Sequence, residues 1–188
     1  GWFGFDGMSQ LAMGTFDDVT AISKIAVNTH LAGAAGTFAG AAVSRLMGGK
    51  TDVIMMLNGA LAGLVAITAE PLTPSPLTAV FIGAIGAIIM YFGTKMLENL
   101  GLDDVVGAIP VHMFAGIFGT LVVPLTNSET SFGTQFLGTI SVVFFSFVLS
   151  YGVFYALKST IGLRISKEAE RLGTDKAEIG VVAYSIRD

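Results

Sequence analysis

Five long apolar stretches, separated by clusters of charged residues, constrain what this chain can fold into. They cover about residues 20–47, 53–69, 77–97, 105–125 and 132–157. A helix needs about 20 apolar residues to cross the hydrocarbon core of a bilayer. Only 13% of the residues are charged and 53% are hydrophobic, whereas soluble domains carry about a quarter charged residues. The sequence therefore predicts an all-α integral membrane protein.

The chain opens with an aromatic segment, GWFGF, at residues 1–5. It has no Met, no basic flank and no cleavage signal, so it does not resemble a signal peptide. We interpret it as the end of one further helix, a sixth in addition to the five stretches, which is truncated because its upstream sequence is missing. The predicted organisation is a transmembrane part at 1–159, with one truncated and five complete helices, and a cytoplasmic tail at 160–188.

Lys and Arg residues are distributed unevenly around the apolar stretches. All except Lys24 lie near the end of the first, third or fifth stretch or beyond it, and the loops at 70–76 and 126–131 contain none. Cytoplasmic flanks carry the excess of positive charge. The pattern predicts a cytoplasmic carboxyl end, with Lys24 reaching the outer interface by snorkelling.

The composition excludes several classes of function. The chain has no Cys, so disulfides, thiol catalysis and cysteine-ligated metals are excluded. A net charge of -4 argues against nucleic acid as a partner. With two His residues, and without a nucleophile–base pair or a phosphate-binding loop, we predict neither an enzyme nor a metal or cofactor site.

Small residues recur at spacings that allow helices to pack closely in a membrane. Close backbone approach holds membrane helices together because lipid tails compete with apolar side chains. The small residues concerned are Gly33, Gly36, Gly40, Gly59, Gly63, Gly83, Ala87, Ala115 and Gly119. They predict a tightly packed bundle.

The two histidines lie within apolar stretches, where polar groups are costly and often mark a pathway. His112 is deep in the fourth stretch. A neutral imidazole there could bind a small polar solute and pass a proton, or it could simply bond a neighbouring carbonyl, and the residue alone favours neither. For His30 we favour the packing role.

Three further features have structural as well as functional interpretations. Asn58 could line a vestibule, cap its helix or bond across an interface, and capping is the interpretation we favour. The aromatic residues at 1–5 fit an interfacial belt, but with Asp6 and Ser9 nearby they would also attract a small cation. Asp103 and Asp104 are expected to stabilise a helix amino terminus through its dipole.

Several motifs together resemble the ammonium transporter and Rhesus protein family, and more closely its ammonium transporter branch. GWFGF at 1–5 resembles the sixth-helix motif of the family, and NGALAGLVAITA at 58–69 matches a family hallmark almost letter for letter. DDVVGA at 103–108, followed by Val111 and His112, resembles the segment with the second pore histidine. GLRIS at 162–166 resembles the start of the regulatory tail.

The resemblance implies a trimer whose subunits have eleven helices, built from two inverted five-helix repeats plus a last helix. This chain is similar to the second repeat with the final helix and cytoplasmic tail, and the first half would supply the other wall of the pore. Ammonium and ammonia would be the substrates, and the surroundings would be the lipid bilayer of a bacterial inner membrane. A nitrogen-regulatory signalling protein is a further partner implied at the tail.

The resemblance also implies roles for individual residues. His112 would be the second pore histidine, and Phe5 the gate at the outer mouth. Ser9 would be the hydroxyl of the outer recruitment site. The remaining pathway residues are Trp2 and Thr68, which would line the pore, and Asn58, which would sit near the inner exit.

This chain departs from the family pattern at three places. Asp6 replaces the usual Asn after the gate Phe, and Met113 stands where Gly is common. The tail differs at 173–175 and at 179–184. Asp6 could strengthen cation capture or reflect a changed outer mouth of the pore. Met113 could simply alter the packing of a helix contact.

The sequence leaves a second function open. The first is ammonium transport, with ammonium recruited at the aromatic mouth, deprotonated, and passed as ammonia along a histidine-lined apolar pore. The alternative is an ammonium-sensing receptor of the same fold with little or no transport. Whether transport would be electrogenic is left undecided by the sequence.

Overall fold

The computed structural model describes residues 1–183, and within that range the chain is helical without strands. The α-helices are α1 (Trp2–Gly7), α2 (Phe16–Gly48), α3 (Val53–Thr68), α4 (Pro76–Asn99), α5 (Ala115–Val122), α6 (Phe132–Thr160) and α7 (Lys167–Leu172). A π-helical turn at Ile109–Phe114 runs directly into α5, which ends in a 3₁₀ turn at Val123–Leu125. A second π-helical turn lies at Asp175–Ile179.

Each predicted apolar stretch coincides with a helical segment, and the aromatic opening forms α1. By length and composition, α4 and α6 can cross a membrane. The helical segments Val53–Thr68 and Ile109–Leu125 are apolar but shorter. The all-α prediction is confirmed for the described residues.

Side chains at the amino termini determine where three of the long helices begin. Thr15 and Asp18 form a reciprocal capping box at α2, in which each side chain accepts from the backbone of the other residue. Asp52 accepts from the backbone N–H groups of Ile54 and Met55 at α3, and Ser75 caps α4. Each cap satisfies N–H donors that have no partner within the helix.

Helices α2, α3 and α4 pack through glycines that bring their backbones into contact. A side-chain carbon added at Gly36 would strike the carbonyl oxygen of Gly59, and one at Gly63 or Gly83 would strike that of Ala32. The bundle therefore has room for no larger residue at these positions. The tight packing predicted from the small-residue spacing is confirmed.

The chain divides into two compact units, Gly1–Ile140 and Ser141–Asp188. In the second unit Ser166 caps α7, and the Arg164 Nε atom donates to the Glu170 Oε1 atom at 2.7 Å. The predicted boundary between residues 159 and 160 stays a prediction. Residues 184–188 of the predicted tail lie outside the described residues.

Candidate functional site

A long-range hydrogen bond joins α1 to the carboxyl end of α3. The Trp2 Nε1 atom donates to the Thr68 Oγ1 atom at 2.6 Å. The Thr68 hydroxyl in turn donates to the Leu64 carbonyl at 2.7 Å, within its own helix. Both side chains are half-buried. The structure thus brings together two predicted pathway residues that are 66 positions apart in the chain.

Phe5 and Ser9 lie on the exposed side of the same chain segment. Phe5 is 66% exposed, and Ser9 is exposed as well. The Ser9 hydroxyl donates to the Phe5 carbonyl across 3.5 Å, a length at which a hydrogen bond is weak. Both side chains can therefore meet a solute or another protein surface.

Asp6 points in the opposite direction and is fully buried, with 0% exposure. The Thr29 hydroxyl donates to its Oδ2 atom at 2.7 Å. Its Oδ1 atom is buried without a hydrogen-bond partner. Asp6 fastens α1 to α2 and does not line the exposed surface that carries Phe5.

Sequence reasoning missed the part of α2 that faces α1. The ring of His30 stacks on Phe3, with ring centroids 6.2 Å apart and planes 23° apart. Its neighbour Thr29 holds Asp6. The signal that could have found this contact is the carboxylate at position 6, which needs a donor when it is buried.

His112 lies in the π-helical turn at Ile109–Phe114, where its side chain is exposed while Pro110 and Val111 are buried. A π turn holds one more residue than an α turn and is frequent at functional sites. The turn packs against α3 and α4. The exposed His112 side chain thus lies on a turn that is packed against two helices.

Asn58 lies inside α3 and not at its amino terminus, which Asp52 caps. The capping interpretation of Asn58 is therefore wrong. Its Nδ2 atom donates to the Val106 carbonyl at 3.0 Å, and the side chain is only 8% exposed. Asn58 bonds across an interface, to the loop that precedes the π-helical turn.

Asp104 prepares the amino terminus of the π-helical turn. Its carboxylate accepts from the backbone N–H groups of Ala108 at 2.9 Å and Ile109 at 2.8 Å. This confirms the predicted structural role for Asp104. No group of three His, Asp or Glu side chains within residues 1–183 could hold a metal ion.

Asp18 closes the loop between α1 and α2. Hydrogen bonds from the Thr15 and Gln10 side chains, and from the Thr15 backbone, lower the pKa of the Asp18 carboxyl below its ordinary value. The carboxylate is therefore charged over the neutral range. It orders the chain that connects the aromatic residues to α2.

The predicted pathway residues occupy successive levels along the first unit. Trp2 and Thr68 mark one end. Gly119 packs on Ala66 near that end, whereas Gly107 packs on Asn58 at the other. His112 lies between these two contact points, roughly 8 Å from Gly107 at about 1.5 Å per residue.

Two surface grooves lie beside these residues without being lined by them. A groove of about 560 Å³ on the Phe3 side of α1 is lined mainly by apolar residues, including Met8, Leu11 and Ile22. Another of about 410 Å³ lies at the opposite end of α3 and includes Asp52 and Lys95 in its lining. Neither lining includes Phe5 or His112.

Comparison with known proteins gives a consistent result across the chain. The model of the Ammonium Transporter Family matches residues 1–184. The ammonium transporter Amt2 of Archaeoglobus fulgidus is 40% identical over 98% of this chain, and that of Methanocaldococcus jannaschii is 32% identical over 98%. This chain covers 43% of each of these relatives.

Solved structures agree with the sequence comparison. A sensor Amt protein is 32% identical and superposes with a TM-score of 0.85, covering 94% of this chain and 45% of its own. Candida albicans Mep2 is 26% identical with a TM-score of 0.79, covering 95% and 43%. The chain therefore spans less than half the length of these proteins.

Proposed function

The chain belongs to the ammonium transporter family and is an integral membrane protein of that fold. From this premise we propose that it forms one wall of a pathway that carries ammonium, as ammonia, across a membrane. The whole pathway would require a partner wall, and the chain spans 43% of the relative from Archaeoglobus fulgidus.

The observation that carries this proposal is the order of the pathway residues along the first unit. Trp2 and Thr68 are joined at one end, His112 is exposed midway, and Asn58 lies at the other end. Three separate chain segments thus contribute residues at successive levels of the first unit. A pore wall needs such an arrangement, because a solute must meet suitable groups in succession.

At the aromatic end, exposed Phe5 and the Ser9 hydroxyl would capture ammonium. Aromatic faces attract cations through their quadrupoles, and a hydroxyl oxygen accepts a hydrogen bond from the ion. Loss of a proton there leaves ammonia, which crosses an apolar lumen at far lower desolvation cost than an ion does.

His112 would offer ammonia a hydrogen-bonding partner midway. A neutral imidazole has one donor and one acceptor nitrogen, so it can bond ammonia without carrying a charge. Potassium cannot lose a proton or donate hydrogen bonds. A dry lumen would therefore reject it at the desolvation step.

A sensor is the second candidate function, and a specific observation favours it. The sensor Amt protein superposes with a TM-score of 0.85, compared with 0.79 for Candida albicans Mep2. A chain of this fold could thus bind ammonium at the aromatic end and pass little or none of it. Binding without flux distinguishes the two functions.

We further propose a homotrimer in a bacterial inner membrane, with the carboxyl end cytoplasmic and accessible to a nitrogen-regulatory signalling protein. The distribution of Lys and Arg supports the orientation. Helix α6 has no buried residue, which supports its burial by lipid or by other protein surfaces.

The test is the ammonium-evoked current of the full-length protein in liposomes, compared with His112→Ala at matched protein density. A saturable current that is absent with potassium and is lost or strongly altered by His112→Ala supports transport through the pathway. Tight ammonium binding without current or ammonia flux supports the sensor instead. A current that is indifferent to His112→Ala removes this histidine from the mechanism.

A further inference from the structure

The buried carboxyl group of Asp6 has no counter-charge within the described chain. Lys24 and His30, the basic residues of α2 nearest to Thr29 in sequence, have exposed side chains. Asp18 is held by Gln10 and Thr15, and Glu70 by loop amides. Helix α3 contributes no titratable residue to this side. Among residues 1–183, Asp6 forms no ion pair.

A carboxylate in such a place is costly, since burial of an unpaired charge is strongly unfavourable. The Thr29 hydroxyl stabilises the charged form and the Thr68 side chain also acts on the carboxyl, while the Oδ1 atom has no hydrogen-bond partner. The group must therefore either hold a proton or have a cation nearby. The enclosing atoms belong to this chain, because Asp6 has 0% exposure in the chain alone.

The place where a cation would come near is the exposed face of the same helix. Phe5 precedes Asp6 directly and is 66% exposed. Adjacent Cα atoms are about 3.8 Å apart and the two side chains point in opposite directions, so an ion on the Phe5 ring would lie roughly 12 Å from the Asp6 carboxyl. In a medium of effective dielectric constant about 20, opposite charges at that distance attract enough to change a binding constant about tenfold.

We propose that Asp6 is the counter-charge for ammonium held at the Phe5 surface, so that binding of the ion drives the proton off the Asp6 carboxyl. The inference rests on the proposed function. The step is balanced: ammonium and the protonated carboxyl give bound ammonium beside a carboxylate, and one proton passes to water. Asp6 acts through its charge and does not touch the ion, so it is a specificity-determining residue and not a ligand.

Two consequences follow from linkage, because coupling between two bound species is reciprocal. The affinity for ammonium rises with pH and becomes constant once the carboxyl is already ionised in the free protein. The charge also favours the ion over ammonia at the mouth, since it stabilises the protonated solute. Asp6 would thus strengthen capture while making proton loss harder.

The experiment is calorimetric titration of the full-length protein with ammonium chloride, in buffers of different ionisation enthalpy, from about pH 5 to about pH 8. The dependence of the measured heat on the buffer gives the number of protons released per ion bound. Potassium chloride is the control ligand. The variants are Asp6→Asn, Thr29→Val and Ser23→Ala, the last removing an exposed hydroxyl of α2 that bonds only its own helix.

The wild type should bind the ion about tenfold more tightly at high pH than at low pH and, with coupling of that size, release up to about half a proton per ammonium near the midpoint of the change. Asp6→Asn should release none and bind with a pH-independent affinity. Thr29→Val should release its maximum at a higher pH than the wild type, because the carboxyl then ionises less readily. Ser23→Ala should match the wild type.

Equal proton release in wild type and Asp6→Asn overturns the inference, as does binding by the wild type without proton release. If Asp6→Asn does not fold, Thr29→Val decides: a release maximum at the same pH as in the wild type, or at a lower one, overturns the inference. Absence of ammonium binding in every variant, including Ser23→Ala, overturns the proposed function itself and the inference with it.

Discussion

Helices α3 and α6 are both strongly apolar, but they differ in what covers them. In α3 seven residues are buried, among them Gly59, Ala62 and Gly63. In α6, which is 29 residues long, none is buried. Apolar composition therefore does not determine which residues of a helix are buried by the described chain.

Glycine alone does not explain the difference, because α6 contains glycines too. Gly138 and Gly152 have open space where a side chain would lie. Gly36 and Gly59, in contrast, contact each other through their backbones. Small residues promote packing only where they recur on one face and meet a matching face.

The largest test of this difference is a large residue at matched glycines. Gly36→Leu should prevent normal packing, since its first side-chain atom would strike the Gly59 carbonyl and overpacking costs about 1–3 kcal/mol or more. Gly138→Leu should leave the melting temperature almost unchanged. Thermal unfolding in detergent, followed by size-exclusion chromatography, measures both, and equal losses would mean that packing of the α2–α3 interface is not what stabilises the fold.

A smaller loss is expected for Asn58→Ala. This change removes the donor to the Val106 carbonyl and leaves a partly buried acceptor unpaired, which costs about 1–3 kcal/mol. Ser159→Ala in α6 is the matched control, because its exposed hydroxyl bonds only its own helix. The same melts measure the pair, and a destabilisation by Ser159→Ala as large as that by Asn58→Ala would contradict the comparison.

Loss of the bond between α1 and α3 should affect function more than folding. Thr68→Val keeps the shape of the side chain but removes the acceptor for the Trp2 indole, a bond worth about 1 kcal/mol. We expect the half-saturating ammonium concentration to rise about fivefold, with little change in melting temperature. Concentration–current curves test this, and an unchanged curve would remove the Trp2–Thr68 contact from the mouth.

The smallest effect concerns the second unit. The Arg164 side chain lowers the pKa of the exposed Glu170 carboxyl. The contact therefore stabilises this segment at pH values above the ordinary pKa of Glu, and this stabilisation is lost as the pH falls through the lowered pKa. Arg164→Gln should return the Glu170 titration to its usual range. Carboxyl NMR of the wild type and the variant measures the change in the Glu170 titration.

Much of the fold could be predicted because hydrophobicity and spacing are local properties of sequence. The glycine pattern predicted close helix packing, of which the contact between Gly36 and Gly59 is an example, and the carboxylate pair predicted the helix-stabilising role of Asp104. The family resemblance assigned Trp2 and Thr68 to one pathway, and a hydrogen bond joins them.

The features that the sequence did not predict depend on contacts between segments that are distant in the chain, and no local pattern indicates such contacts. Asn58 was open to a capping role because its partner, Val106, is 48 residues away. Asp6 was recognised as unusual, but its burial against Thr29 follows only from how α1 lies on α2. The π-helical turn beneath His112 has no signature in hydrophobic periodicity.

That π-helical turn makes the number of residues in this part of the chain a structural requirement. Gly107 and Gly119 are each fixed against α3, at Asn58 and at Ala66, and the π-helical turn between them holds one residue more than an α-helical turn. Deleting one residue from the start of α5 would turn the rest of that helix by about 100°, and Gly119 would no longer face Ala66. Variation in length is therefore expected to be tolerated in the loops but not between these two glycines.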